Sequence, residues 1–201
     1  MRSWIELVFP AESRGRLKKI YERIAGPKGA IDNILMVHSL RPHTLEGHMA
    51  LYKSVLHHSR NTLPHWFLEV VGIYVSHLNR CDYCVRHHSE GLRRLLDDER
   101  AEELLRALES DTASSVLSGR ESAALDYARV LTLQADQIDD TFIAALREAG
   151  LDDGEILELN QVVSYFAYAN RTVLGLGVTT EGDTLGLSPS DASDPDNWHH
   201  H

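Results

Sequence analysis

Every strong hydrophobic period in this chain lies near 3.6 residues, and no pair of alternating runs flanks a hairpin turn, so the fold class is all-α. The most constraining stretch is Pro64 to Leu78, where Trp66, Phe67, Val70, Val71, Ile73, Tyr74 and Val75 place apolar side chains on more than one face. A helix of that kind is buried. A break at Asn79-Arg80 lets a second helix begin at Cys81 and continue through Leu92, Leu95 and Leu96. The two then pack antiparallel.

Around this pair the chain reads as further helices. Leu17, Ile20, Tyr21 and Ile24 form a stripe that stops at Gly26-Pro27, and a short helix near Ile34 to His38 precedes Arg41-Pro42. Leu45, Met49, Tyr52, Val55 and Leu56 form a longer stripe, after which Thr62 is a candidate N-cap for the buried helix. Leu104, Leu105 and Leu108 extend the pattern after the cysteine helix. Ser118 with Glu121 is a capping box, Asp139 or Asp140 can cap a helix closed by Gly150, and Asp152 with Glu155 starts a last long helix to about Leu174. A shift of 91 residues lays Val71, Tyr74, Asn79 and Arg80 over Val162, Tyr165, Asn170 and Arg171, which reads as a degenerate internal duplication. The expected organisation is one helical domain over residues 1–178, with a cysteine-containing half at about 42–110 and a degenerate half at about 118–178. Residues 179–201, rich in Gly, Ser, Asp and Pro, are expected to form a mobile tail or an arm laid on a neighbouring subunit. His199 to His201 resemble the remnant of a tag and are set aside in reasoning about the site.

Composition narrows the functional classes. A formal charge of −10 over 201 residues, with no Lys/Arg cluster longer than a pair, argues against nucleic acid or an anionic membrane as partner. The first twenty residues lack the apolar core of a signal peptide and no long apolar run follows, so a cytoplasmic protein is expected. In a reducing compartment a lone Cys-x-x-Cys is redox-active or metal-binding more often than a structural disulfide.

That pair is Cys81-Asp82-Tyr83-Cys84, followed by His87-His88. A helix N-terminus favours thiolate, because its unpaired amides and dipole stabilise negative charge. Positions 81, 84 and 88 fall at about 0°, 300° and 340° and share a face. Cys84 and His88 are an i, i+4 pair, which makes His88 a base for the thiol. His87 points about 100° away and reads as an exposed or packing residue. In one unbroken helix Glu69 would lie about 18 Å from Cys81, but the reversal brings it level with His88. A buried carboxylate needs a partner, and this pairing gives the relay Glu69 to His88 to Cys84. A peroxide cycle follows, in which Cys84 attacks the O–O bond, the sulfenic acid condenses with Cys81, and an external dithiol reduces the disulfide. Three other readings stand beside it: a zinc site on Cys81, Cys84 and His88, which lacks a fourth ligand at any obvious spacing; cysteines that only pack; and a thioredoxin-like oxidoreductase, which lacks its βαβ context.

On the motif Glu69, Cys81-x-x-Cys84 and His88, within "SHLNRCDYCVRHH", the chain resembles the AhpD-like alkylhydroperoxidase and carboxymuconolactone decarboxylase superfamily, in its uncharacterised peroxidase-related branch. The likeness extends to Asp126-Tyr127-Ala128 and to Ile138 through Val178. It implies an AhpD-like helical bundle with duplicated halves, assembled as a homo-oligomer, with Cys84 peroxidatic, Cys81 resolving, and Glu69 and His88 as proton relay. Tyr83 departs from the histidine that AhpD proteins carry between the cysteines, which bears on transfer of their full mechanism and of their lipoyl-linked reductant; the expected partner is an external dithiol, lipoyl-linked or thioredoxin-like. The expected function is a thiol peroxidase for hydrogen peroxide or alkyl hydroperoxides, without cofactor or metal, its pocket lined by some of Trp66, Tyr74, Tyr83 and Phe166. The alternatives are a cofactor-free lyase or isomerase using Glu69 and His88, and a non-catalytic redox sensor.

Overall fold

The structure, a computed structural model, describes residues 2–191, 194 and 197–201. Among them are nine α-helices and no β-strand, only an isolated bridge between Pro189 and His200. The helices are α1 (Gly15–Ile24), α2 (Asn33–Met36), α3 (Pro42–Leu56), α4 (His65–Leu78), α5 (Asp82–Leu95), α6 (Asp98–Glu109), α7 (Gly119–Leu133), α8 (Asp140–Glu148) and α9 (Asp153–Leu176). None of them is long and apolar enough to cross a membrane.

Helix α4 is the centre of the bundle. Every residue from Phe67 to Ser76 is buried, with α5, α7 and α9 packed around it. Gly72 is the crossing point with α9, since a Cβ there would lie 2.1 Å from the Phe166 ring. The capping signals for α7, α8 and α9 act as their sequences dictate. Ser118–Glu121 and Asp152–Glu155 form reciprocal capping boxes, and Asp139 accepts the Thr141 amide. Thr62 is not the cap of α4, whose N-cap position is Pro64. The Glu158 carboxylate of α9 accepts the Thr62 and Leu63 amides instead.

The reversal after α4 is a Schellman turn with an arginine where glycine is usual. Arg80 takes φ 56°, its amide donates to His77 O at 3.0 Å, and the Cys81 amide donates to Ser76 O at 2.8 Å. Equivalent positions under the 91-residue shift meet here: Asn79 Nδ2 donates to Asn170 Oδ1 at 2.9 Å, and Asn170 Nδ2 donates to Ser76 Oγ at 3.0 Å. The chain breaks at Asn79-Arg80, whereas α9 runs unbroken through Asn170-Arg171 to Leu176.

The C-terminal segment departs from the sequence reading, for its described residues lie on the chain's own helices. Arg94 of α5 donates to Leu185 O, Lys53 of α3 to Ser190 O, and Leu187, Trp198 and His200 are buried. Its polar sequence suggested mobility, but its few apolar residues and carbonyls match groups that the bundle leaves open. Ala192, Ser193, Pro195 and Asp196 lie outside the described residues.

Candidate active site

The α4–α5 reversal sets both cysteines at the start of α5. Cys81 is its N-cap, with its carbonyl accepting the Val85 amide at 3.1 Å, and Cys84 lies in the first turn. Both are free thiols and buried. The two thiols and the Asn170 side chain are near enough to influence one another's ionisation. The sequence expectation that the helix terminus favours thiolate holds for one sulfur only. The neighbouring Cys84 thiol lowers Cys81 against the opposing effect of burial, while the Cys81 thiol and burial hold Cys84 well above the ordinary thiol range.

Glu69 of α4 and His88 of α5 meet across the antiparallel pair, with His88 Nδ1 at 2.6 Å from Glu69 Oε2. With Nδ1–H donating to the carboxylate, Nε2 is left as the acceptor. The His88 ring also stands edge-on to Phe166 at a centroid distance of 4.6 Å. The other Glu69 oxygen lies 3.4 Å from His65 Nε2, and His65 Nδ1 is 2.9 Å from Asp191 of the C-terminal segment. Burial alone would push the Glu69 carboxyl up, but His88 and His65 outweigh it and hold the group well below the usual carboxylate range. Burial lowers His65 too, yet Asp191 and Glu69 raise it to about 9.

Cys84, His88 and Glu69 line a cavity together with Asp32, Tyr83 and His87. Cys81 does not line this cavity; it borders a shallow groove beside Trp4 and Gly177. Tyr52, Tyr165 and His48 add an aromatic wall, and burial drops His48 to about 3, so that ring is neutral. Tyr83 donates to Asp183 Oδ2 at 2.7 Å, accepts the Ile34 amide at 3.1 Å and stacks on His87 at 4.5 Å. His87 Nε2 lies 3.2 Å from the same Asp183 oxygen, and His87 Nδ1 3.9 Å from Asp32 Oδ2. His87 is thus a buried cavity residue, because the C-terminal segment and the loop before α2 cover the face that the helix alone would expose. His200, set aside in the sequence reading, is buried and lines the cavity with Nδ1 2.9 Å from Ile24 O.

Of the four aromatic residues expected at the pocket, only Tyr83 lines it. Trp66 packs on Phe67 at 5.7 Å, Phe166 backs His88, and the Tyr74 hydroxyl bonds Asp111 at 3.1 Å. A zinc held by Cys81, Cys84 and His88 is not supported. Among the described residues, the groups of three ligating side chains within 4.8 Å are His57–His65–Asp191 and Asp32–His87–Asp183.

A profile of the carboxymuconolactone decarboxylase family matches residues 42–130, the stretch that carries Glu69, Cys81, Cys84 and His88. Over those residues the chain is similar to the carboxymuconolactone decarboxylase family, which supports the AhpD/carboxymuconolactone decarboxylase resemblance. Solved structures share the fold along most of the chain. An uncharacterized peroxidase-related protein from Silicibacter sp. TM1040 aligns with a TM-score of 0.77 at 21% identity, covering 90% of this chain and 95% of that one. An alkylhydroperoxidase AhpD core protein from Ralstonia eutropha JMP134, also peroxidase-related and uncharacterized, aligns with a TM-score of 0.78 at 19% identity, covering 90% and 93%. The debrominase Bmp8, as a cysteine-to-alanine variant in complex with 2,3,4-tribromopyrrole, aligns with a TM-score of 0.65 at 16% identity, covering 90% and 94%. No curated protein sequence matches the chain.

Asp32, Asp183, His65 and Asp191 are the residues of this candidate site that sequence reasoning missed. Asp32 left a local signal, an acid at a helix start, and so did His65, one turn before Glu69 on the same helix; Asp183 and Asp191 reach the site from the C-terminal segment.

Proposed function

We propose that the protein is a dithiol-dependent peroxidase that reduces hydrogen peroxide or alkyl hydroperoxides. The observation that carries this reading is the placement of one thiol, Cys84, in a cavity with a carboxylate-held imidazole, while the neighbouring thiol Cys81 lies outside that cavity's lining. Because burial holds the Cys84 thiol high, it needs a base in the same cavity. His88 Nε2 is that base, and Glu69 fixes its tautomer and stabilises the imidazolium. The Cys84 thiolate attacks one peroxide oxygen; an S–O bond forms, the O–O bond breaks, and the other oxygen leaves as water or alcohol. The sulfenic acid then condenses with the Cys81 thiol, giving the 81–84 disulfide and water. An external dithiol, lipoyl-linked or thioredoxin-like, takes the disulfide back to two thiols. A homo-oligomer in the cytoplasm is part of the same proposal, and the mass in solution checks the first half of it.

Replacing Cys84 by Ser should reduce peroxide turnover to the uncatalysed background. Replacing Cys81 by Ser should allow one turnover and leave a sulfenic acid on Cys84 that a dimedone probe traps. Normal turnover in Cys84→Ser would reject the assignment. A second reading comes from the debrominase that shares this fold: the same thiol could attack an electrophilic halogen on an aromatic ring instead of oxygen. A halogenated pyrrole offered in the same stopped-flow assay decides between them. Activity that survives loss of both thiols would point to acid–base lyase chemistry by Glu69 and His88.

A further inference from the structure

Asp32 occupies the N-cap position of α2, where an aspartate ordinarily turns its carboxylate onto the first free amides. Here it makes no such bond. The Asn33 amide is taken by Asp183 Oδ1 at 3.0 Å, and the Ile34 amide by the Tyr83 hydroxyl at 3.1 Å. Two residues from remote parts of the chain thus do the capping, and the Asp32 carboxyl is released toward the cavity that holds Cys84. It is only 7% exposed, and its Oδ1 has no hydrogen-bond partner. A buried carboxyl oxygen left unpaired is costly and persists where a bound molecule completes it. The groups that face it are His87, 3.9 Å from Oδ2, and the fully buried Asp183 side chain, with Tyr83 bridging the two elements.

We propose that Asp32 is the general acid of the peroxidase cycle, delivering the proton to the oxygen that leaves when the O–O bond breaks. The proposal rests on the peroxidase reading and extends it to a second carboxyl lining the same cavity. The Cys84 proton moves to His88 Nε2, and the thiolate forms its bond to the near oxygen. The O–O electron pair goes to the far oxygen, which takes the Asp32 proton and departs as ROH. The proton held on His88 then restores Asp32 through the cavity. The sum is one thiol and one hydroperoxide converted to one sulfenic acid and one alcohol, with no other reactant. Burial first of all, and the neighbouring Asp183, push the Asp32 carboxyl up to about 7 against the opposing effect of His87. At neutral pH it holds a proton that it can release.

The test is Asp32→Asn, which keeps size and polarity but carries no transferable proton. Sulfenic acid formation is followed by stopped flow with two oxidants, an alkyl hydroperoxide whose alkoxide leaves poorly and a peracid whose carboxylate leaves readily. The expected result is a loss of about 100-fold or more with the alkyl hydroperoxide and less than about threefold with the peracid. The alkaline limb of the wild-type pH profile near 7 should also vanish in the variant. Equal loss with both oxidants would mean that Asp32 only shapes the cavity and would overturn the proposal, as would no loss with either. A wild-type protein that forms no sulfenic acid with any oxidant is a separate outcome, and it would remove the peroxidase reading itself. Asp32→Glu, which restores a carboxylic acid, should recover part of the alkyl hydroperoxide rate.

Discussion

Two buried carboxyl groups lining the cavity are displaced in opposite directions, and their effects on stability differ in sign. Glu69 lies below the ordinary carboxylate range because His88 and His65 overcome the effect of burial. Its contribution is present at neutral pH and is lost as pH falls through its folded value. Glu69→Gln should therefore lower unfolding stability by about 3 kcal/mol at pH 7, measured by urea titration, with the gap from wild type narrowing toward acid. Equal gaps at pH 4 and pH 7 would contradict the ionic pairing. Asp32 is raised to about 7, so the native state binds a proton that the unfolded chain releases near the ordinary value of 3.8. Stability consequently falls as pH rises between those values. Asp32→Asn should stabilise the protein at pH 8 by up to about 4 kcal/mol and do little at pH 3.5. Gain of stability with loss of turnover is the pattern expected of a residue kept for chemistry.

At the scale of the elements, the helices with their own capping signals were legible, and those positioned by remote partners were not. Ser118, Asp139 and Asp152 cap α7, α8 and α9 as their residue types demand. The α4–α5 reversal was legible too, because Glu69 and His88 have no other way to meet. Thr62 misled because α4 starts two residues later behind Pro64, and Thr62 is instead held by Glu158, 96 residues away. His87 misled because helical geometry places it off the cysteine face, and only the α2 loop and Asp183 enclose it. The α4–α9 crossing depends on a feature visible in sequence only as a glycine inside an apolar helix. A methyl group at Gly72 would lie 2.1 Å from the Phe166 ring, which also backs His88. Gly72→Ala should cost about 1–3 kcal/mol of stability by chemical denaturation and displace His88 enough to slow sulfenic acid formation. A variant of unchanged stability would mean that the two helices can separate freely.

For the whole molecule, the decisive feature is that the C-terminal segment completes the site. It supplies Asp183 to the Tyr83–His87 cluster, Asp191 to His57 and His65, and Leu187 and His200 to the cavity wall. None of this was legible, since the segment has no periodicity and its partners lie more than 90 residues away. Its attachment has a built-in pH limit. His65 is raised to about 9 by Asp191 and Glu69, above its ordinary 6.5, so its contribution is full below 6.5 and is lost as pH rises through 9. Trp198, buried with the Arg23 guanidinium 3.6 Å over its ring, reports on the segment. In a protein with Trp4 and Trp66 replaced by Phe, Trp198 emission should shift to the red as pH passes from 7.5 to above 9. In Asp191→Asn, with that ionic partner gone, the shift should already be present at 7.5 and change little thereafter. Amide exchange of residues 185–191 should accelerate beyond its intrinsic base-catalysed rise over the same interval, while exchange in α4 follows the intrinsic rise alone. Faster exchange in both together would mean that the segment and the bundle open as one unit, and the His65–Asp191 pair would then be part of global stability instead of a local fastening.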